Sequence, residues 1–354
     1  YRAKVEYTKG NGYKPYARNL DFILQRNSDG KGIPNGKFYT EWLKEKKRFD
    51  QHKSTSNSNW TELGPINTPI ILSNGKKRGN GRINCIAFDP IDKEKIWVGS
   101  PGGGLWSAPE GGNTWSTNTD GLPVIGVSYI AINPIDPQEM YITTGDAHAS
   151  DTYSIGILKS NDGGQTWDTT GMQFAVTDDK MVNKVIIHPT FTDSLFAVTD
   201  NNIKISPDGG QTWSNALSTS GSVLSGYFRD IEFKPNNPNV LYAVKQTTGS
   251  SQVYKSSDRG QTWSVSMNGI STVNRNRPLL AVTPANPDAV YVLFCMNDYG
   301  FHGIYKSTDN ADSWTLQSDS PNILGRNTDG TSTGGQSWYD LSLGVSTEDE
   351  DLLY

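Results

Sequence analysis

Two cysteines in 354 residues, Cys85 and Cys295, are too few for a disulfide framework. Their wide separation favours two buried thiols, which behave as small apolar side chains. No apolar run approaches the roughly 20 residues that a spanning helix needs, so no membrane span is expected. Basic residues never gather into a stripe: 32 Lys and Arg stand against 37 Asp and Glu, for a net charge of −5, and nucleic acid is excluded as a partner. The four histidines, His52, His148, His188 and His302, are dispersed without metal-ligand spacing. No metal and no cofactor is expected. Residue 1 is Tyr with no signal-like segment behind it, as in a chain already processed. Strong helix formers are scarce, whereas Gly, Asn, Ser, Thr, Trp and Tyr are plentiful, a profile of many short strands joined by tight turns.

What is present is a repeat. The phrase Ser160-Asn-Asp162-Gly-Gly164-Gln-Thr166-Trp167 returns as Ser206-Pro-Asp208-Gly-Gly210-Gln-Thr212-Trp213 and as Ser256-Ser-Asp258-Arg-Gly260-Gln-Thr262-Trp263. Weaker copies flank these, with Glu110 and Trp115 before and Asp309 and Trp314 after. The period is about 50 residues, that of a four-stranded propeller blade. Ahead of each box runs a strand ending at proline, a short turn and another strand, as in Ile86-Ala-Phe88-Asp-Pro90 before Ile96-Trp97-Val98. Each unit therefore reads as strands a, b, c and d with the box at the c–d turn.

The spelling of the box follows from hairpin physics. Aspartate at the third position accepts hydrogen bonds from backbone N–H groups of its own turn, glycine at the fifth permits positive φ, and tryptophan anchors the next strand. Glu110, Asp162, Asp208, Asp258 and Asp309, with Trp115, Trp167, Trp213, Trp263 and Trp314, are thus expected to be scaffold.

These boxes resemble the Asp-box (BNR) repeats of bacterial sialidases, sortilin-type Vps10 domains and glycoside hydrolase family 74 xyloglucanases. The resemblance runs from about Trp60 to the end and implies an all-β propeller: five full blades and part of a sixth, with seven expected in the full protein. A narrower resemblance rests on Gly12-Tyr-Lys-Pro-Tyr16, Phe38-Tyr-Thr-Glu-Trp42, Trp60-Thr-Glu-Leu-Gly-Pro65, Gly81-Arg-Ile-Asn84 and Gly102-Gly-Gly-Leu-Trp106. Those phrases are similar to large Asp-box proteins exported by type IX secretion in Bacteroidota. They imply an extracellular or outer-surface location and contact with that export machinery.

Residues 1–50 lie outside the repeat and read as a helical N-terminal extension, with short amphipathic helices at 15–25 and 40–50. Residues 51–59 are a polar linker, and residues 60–354 are the propeller, incomplete at its C-terminus. Trp338 to Leu343 and Asp351 to Tyr354 match strands a and b of a sixth unit, with no box after them.

In an up-and-down blade the a–b and c–d turns emerge on one face and the b–c and d–a loops on the other. All a–b turns are short and all c–d turns are boxes, so that face is structural. Binding residues are expected on the irregular face. The second unit supplies Asp146, His148, Asp151 and Tyr153 there, and the fifth supplies Tyr299, Phe301 and His302. Arg82, Arg229, Arg275 and Arg277 stand near the entrances of a strands, with Arg326 further upstream of its own, and Trp338, Tyr339 and Asp340 open the sixth. Converging arginines would hold a carboxylate or sulfate.

A glycosidase needs two carboxyl groups flanking the scissile bond. Asp146 or Asp151 with Asp340 is the best pair. The family resemblance weighs against it: where family 74 xyloglucanases carry an aspartate just before the Gly-Gly of their first repeat, this chain has Ser100. Compared with sialidases, Arg82-Ile83-Asn84 departs from their Arg-Ile-Pro phrase, and no Tyr/Glu nucleophile pair stands out. The reading is a non-catalytic module that binds glycan or protein at the cell surface. A diverged glycoside hydrolase is the first alternative and a structural or export cargo the second.

Overall fold

The computed structural model describes Glu41, Lys44, Glu45, Lys47, Arg48 and residues 81–354 apart from 113, 150, 151 and 340. The chain divides into two compact units, Tyr1–Ile66 and Asn67–Tyr354. In the first, the five described residues are helical and solvent-exposed, with i,i+3 pairs Lys44–Glu41 at 2.8 Å and Arg48–Glu45 at 3.5 Å. They fall within the expected 40–50 helix. The 15–25 helix, the 51–59 linker and the 59/60 boundary lie outside the described residues.

The second unit is built from five antiparallel sheets in chain order. Blade one holds β1 (Cys85–Phe88), β2 (Ile96–Ser100), β3 (Gly104–Ala108) and β4 (Ser116–Thr117). Blade two holds β5 (Val127–Ile132), β6 (Met140–Thr144), β7 (Gly156–Ser160) and β8 (Asp168–Gln173). Blade three holds β9 (Val182–Ile187), β10 (Leu195–Thr199), β11 (Ile203–Ser206) and β12 (Ser214–Asn215). Blade four gathers β14 (Tyr227–Phe233), β15 (Leu241–Gln246), β16 (Gln252–Ser256) and β17 (Thr262–Val265), with the short β13 (Leu217–Ser218) added in parallel to β17. Blade five holds β18 (Pro278–Thr283), β19 (Asn286–Cys295), β20 (Phe301–Ser307) and β21 (Thr315–Ser318). The a strands β1, β5, β9, β14 and β18 neighbour one another in that order, as the inner strands of a propeller do.

Strand period explains the packing. Successive side chains point to opposite faces, and in β10 Leu195 and Ala197 enter the core shared with blade two while Phe196 and Val198 enter the core shared with blade four. In β15, Leu241 and Ala243 face blade three and Tyr242 and Val244 face blade five. The apolar cores therefore lie between blades, and central strands are apolar on both faces. At the arc's first blade that sandwich is open: Ile86 is 60 % exposed, whereas Ile130, at the same position in blade two, is 4 % exposed.

Four boxes close the same hydrogen-bond circuit. Asp162 accepts the backbone N–H groups of Gln165 and Thr166 at 2.9 Å each and the Thr166 hydroxyl at 2.6 Å, and Ser160 donates to it at 2.7 Å. Asp208, Asp258 and Asp309 repeat the hydroxyl bond at 2.6 Å from Thr212, Thr262 and Ser313. These donors hold all four carboxyls below the usual range, Asp162 and Asp309 at about 2. Positive φ occurs at the fifth position and also at the fourth, as at Arg259 (60°) and Gly260 (74°). A Cβ on Gly260 would lie 2.6 Å from the Phe196 ring, so the box also sets how closely blade four approaches blade three. Trp263 and Trp314 are buried, Trp167 and Trp213 half-buried, and Trp115 exposed.

The sixth unit differs from expectation. The described residues of 338–354 form no regular strand, only the bridge Val345–Leu353. Leu341 packs with Phe301 and Leu293 of blade five, and Leu343, Val345 and Leu353 lie against Ala281 and Tyr291. Trp338 and Tyr339 sit in a turn rather than opening a strand. Cys85 and Cys295 are free thiols in blades one and five, pushed up by burial to about 12 and about 11.

Candidate functional site at the channel mouth

The b–c loop of blade two folds over the inner ends of the a strands, and its conformation is set by Asp146. That side chain has no solvent exposure. Its Oδ1 accepts the N–H of His148 at 3.1 Å and of Ala149 at 3.3 Å, an Asx-type turn. Asn84 Nδ2 lies 3.4 Å from the same oxygen, and Arg82 forms an ion pair with Oδ2. Ser128 ties the loop down from below, donating to the Gly145 carbonyl at 3.0 Å and accepting the Ala147 N–H at 2.9 Å.

Three of the arginines singled out in the sequence converge here. Arg82 holds Asp146, Arg229 donates to the Ala147 carbonyl, and Arg277 donates to the His148 carbonyl at 3.2 Å and to the Trp338 carbonyl. These bonds turn the cluster inward onto the loop. Burial and the nearby Arg229 bring the Arg277 guanidinium down to about 9, still a cation at neutral pH. Arg275 turns away and holds the Ser251 and Ser271 carbonyls.

His148 joins the loop to Arg277, which in turn holds the Trp338 carbonyl. Its Nδ1 is 3.0 Å from Arg277 Nη2 and 3.2 Å from the Tyr339 carbonyl oxygen. Arginine only donates, so Nδ1 receives that bond as an acceptor. Burial and the Arg277 charge pull the imidazole down to about 4, and it is neutral at physiological pH. The turn that Arg277 holds through the Trp338 carbonyl presents the Trp338 ring, 43 % exposed, with its centroid 4.1 Å from that of Tyr339. Arg82 lies over the other ring, 5.7 Å from the Tyr339 centroid.

The remaining residues separate. Tyr299, exposed, receives Ser337 on its carbonyl at 2.7 Å and so braces the same turn from blade five. Phe301 is buried in the core of blade five and is taken up by packing rather than offered to a ligand. His302 contacts the Val273 carbonyl at 3.0 Å, away from the mouth. Tyr153 is half-buried on the rising limb of the blade-two loop. Asp151 and Asp340 lie outside the described residues. Ser100 donates to the Arg82 carbonyl at 3.0 Å and receives the Gly103 N–H at 3.2 Å, a turn-forming role.

Beneath the mouth is a cavity of about 340 Å³ that the sequence reading missed. Lys184 lies within it, bonded to Asp230 at 2.8 Å and Glu232 at 2.6 Å, with its ammonium 4.9 Å from the Tyr129 ring centroid. Burial opposes the lysine charge, but Asp230 and Glu232 outweigh it and hold the pKa well above the ordinary value. Burial pushes the Tyr129 phenol up to about 12. A signal existed in the sequence: Asn183-Lys184 and Asp230, with Glu232, interrupt a strands that elsewhere read apolar. Among the described residues no three His, Cys, Asp or Glu side chains gather as metal ligands would.

Residues 201–326 match the family profile described as Sortilin, neurotensin receptor 3. The chain is 27% identical over 214 residues to the xyloglucanase Xgh74A of Acetivibrio thermocellus, covering 52% of this chain and 25% of that protein. It is 25% identical over 210 residues to an oligoxyloglucan-reducing end-specific xyloglucanase of Emericella nidulans, covering 55% and 24%. The chain thus spans about a quarter of the length of these curated relatives. Among solved structures, the GH74 xyloglucanase of Xanthomonas campestris superposes with a TM-score of 0.56 at 16% identity, covering 78% of this chain and 42% of that one. An ancestral GH74 enzyme gives 0.55 at 17% identity, covering 70% and 32%. These likenesses define the fold as an all-β propeller of the GH74 and sortilin kind. No helix among the described residues is long and apolar enough to cross a membrane.

Proposed function

We propose that this chain is a glycan-binding propeller module, acting outside the cell or on its outer surface, which holds a polysaccharide of the xyloglucan class without cleaving it. The observation that carries this reading is Trp338: a large exposed ring on a turn fixed through its own carbonyl by Arg277 and braced by Ser337. Rigid exposed aromatics offer flat apolar area to sugar rings at little entropic cost. Similarity to xyloglucanases supports the choice of polysaccharide. Against cleavage stands Asp146, whose fully buried carboxylate is committed to Arg82 and to its own turn.

Affinity electrophoresis through xyloglucan, with a reducing-sugar assay on the same preparation, tests the proposal. Retardation without sugar release is expected. Trp338→Ala is expected to weaken binding by about 2 kcal/mol, roughly 30-fold, as loss of a central aromatic anchor does. Unretarded migration of the wild-type chain would refute it. The similarity to xyloglucanases also favours a second reading, a hydrolase using Asp151 and Asp340; sugar release abolished by Asp340→Ala would establish that one instead.

A further inference from the structure

We propose that the channel cavity beneath the mouth is a second binding site, built for one neutral polyhydroxyl ring of monosaccharide size. Asn183, only 6 % exposed, gives its Nδ2 to the Phe228 carbonyl at 2.5 Å and keeps a buried Oδ1 with no hydrogen-bond partner. Asn84 repeats the arrangement one blade pair away: Nδ2 binds the Val127 carbonyl at 3.2 Å, and its buried Oδ1 has no partner. Both side chains line the cavity. Two buried acceptors without donors are costly, and each calls for an O–H or N–H group from whatever fills the space.

The charges select the class of donor. Lys184 and Arg229, which also lines the cavity, together balance Asp230 and Glu232, so a second ammonium or metal ion has no excess negative charge to meet. An anion would face two carboxylates and two amide oxygens. Hydroxyl groups suit both sides, donating to Asn84 and Asn183 and accepting from Lys184. The Tyr129 ring, Leu280 and Leu343 complete the wall with apolar surface for the C–H face of a ring. A volume of about 340 Å³ lies at the lower end of the roughly 300–1,000 Å³ of small-molecule sites. That suits a single ring rather than an oligosaccharide.

The ring has two possible sources, a free sugar or a terminal or branching residue of a chain lying across the mouth. Only the second rests on the polysaccharide reading above. Titration calorimetry and saturation-transfer NMR with D-xylose, D-glucose and D-galactose test the first, and xyloglucan titrations test the second. Ser342 is exposed, lines the cavity and makes none of the described side-chain hydrogen bonds, so Ser342→Trp blocks the space without removing a tie between blades. Asn183→Leu removes the unpartnered acceptor, and its melting curve reports the lost Phe228 bond separately.

Saturable binding of at least one monosaccharide, lost at least tenfold in both variants and retained in Trp338→Ala, is the result expected for a free ring. A tenfold loss of xyloglucan affinity in Ser342→Trp, with no monosaccharide binding, assigns the site to a ring of the chain. Absence of monosaccharide binding together with unchanged xyloglucan affinity in Ser342→Trp overturns the proposal. Monosaccharide binding indifferent to both variants overturns it too. Failure of xyloglucan to bind at all would sink only the module reading, because the monosaccharide titrations remain decisive for the cavity.

Discussion

Replacing Asp146 by alanine separates a structural carboxylate from a catalytic one. The substitution leaves Arg82, one fifth exposed, beside an empty position, and strips the N–H groups of His148 and Ala149 of their acceptor. Removing one partner of a buried ion pair costs about 3–5 kcal/mol. The partial exposure of Arg82 lets water reach it and places this case near about 3 kcal/mol. For a unit of this size each kcal/mol moves the melting temperature by about 2–4 °C, so a drop of roughly 6–12 °C is expected. Asp146→Asn keeps the oxygen that caps the turn and loses only the charge, so its drop should be about half as large. Replacing Arg82 and Asp146 together by leucine should recover part of the loss, since no lone charge is left inside. Circular dichroism melts of the four proteins measure all of this. If Asp146→Ala melts within a degree of wild type, the loop is not built as described. If it also loses a sugar-releasing activity that wild type has, Asp146 is chemical rather than structural.

Other outcomes follow from the same structure. The depressed box carboxyls contribute stability that is complete above the unfolded aspartate value of about 3.9 and is lost as pH falls through about 2. His148, among Arg277, Arg229 and Asp146, binds its proton later in the folded state than in the unfolded, at about 4 rather than 6.5. Stability should therefore fall as pH drops from 6.5 to about 4, and His148→Gln should flatten that segment of a melting-temperature profile. Trp263→Ala empties a fully buried site and should cost about 3–5 kcal/mol by urea denaturation, whereas Trp115→Ala, at an exposed ring, should cost under about 1 kcal/mol. Gly260→Ala should destabilise through both its positive φ and the Phe196 contact, and Arg259→Gly at the neighbouring left-handed position should not.

The propeller was legible because its signals are local. Asp, Gly and Trp of each box act within one turn, and the apolar alternation of β10 and β15 lies within single strands, so spelling and period sufficed for strand order and core. The mouth was legible only in part. Arg82, His148, Arg229, Arg277, Trp338 and Tyr339 could be nominated one by one, but what each binds depends on blades more than 60 residues apart meeting around an axis. For that reason the arginines read as an anion clamp, yet they are spent on carbonyls and on Asp146. Phe301 misled because its loop neighbours are polar, while its place at the start of β20 turns it into the core. The sixth unit's strand pattern persists in sequence, but Trp338 and Tyr339 are drawn into the turn that Arg277 holds. Lys184, Asp230 and Glu232 escaped attention because no repeat carries them at equivalent positions.

On the proposed function, sugar meets this protein at the rim around Trp338, while the Asp boxes serve only the scaffold. A crystal structure of the chain soaked with a xyloglucan oligosaccharide tests it most directly. Unbroken sugar density stacked on Trp338 over the channel mouth, with all four box aspartates still closed on their own turns, is the result expected. Sugar or a metal ion gripped by Asp162, Asp208, Asp258 or Asp309, with Trp338 bare, would contradict it.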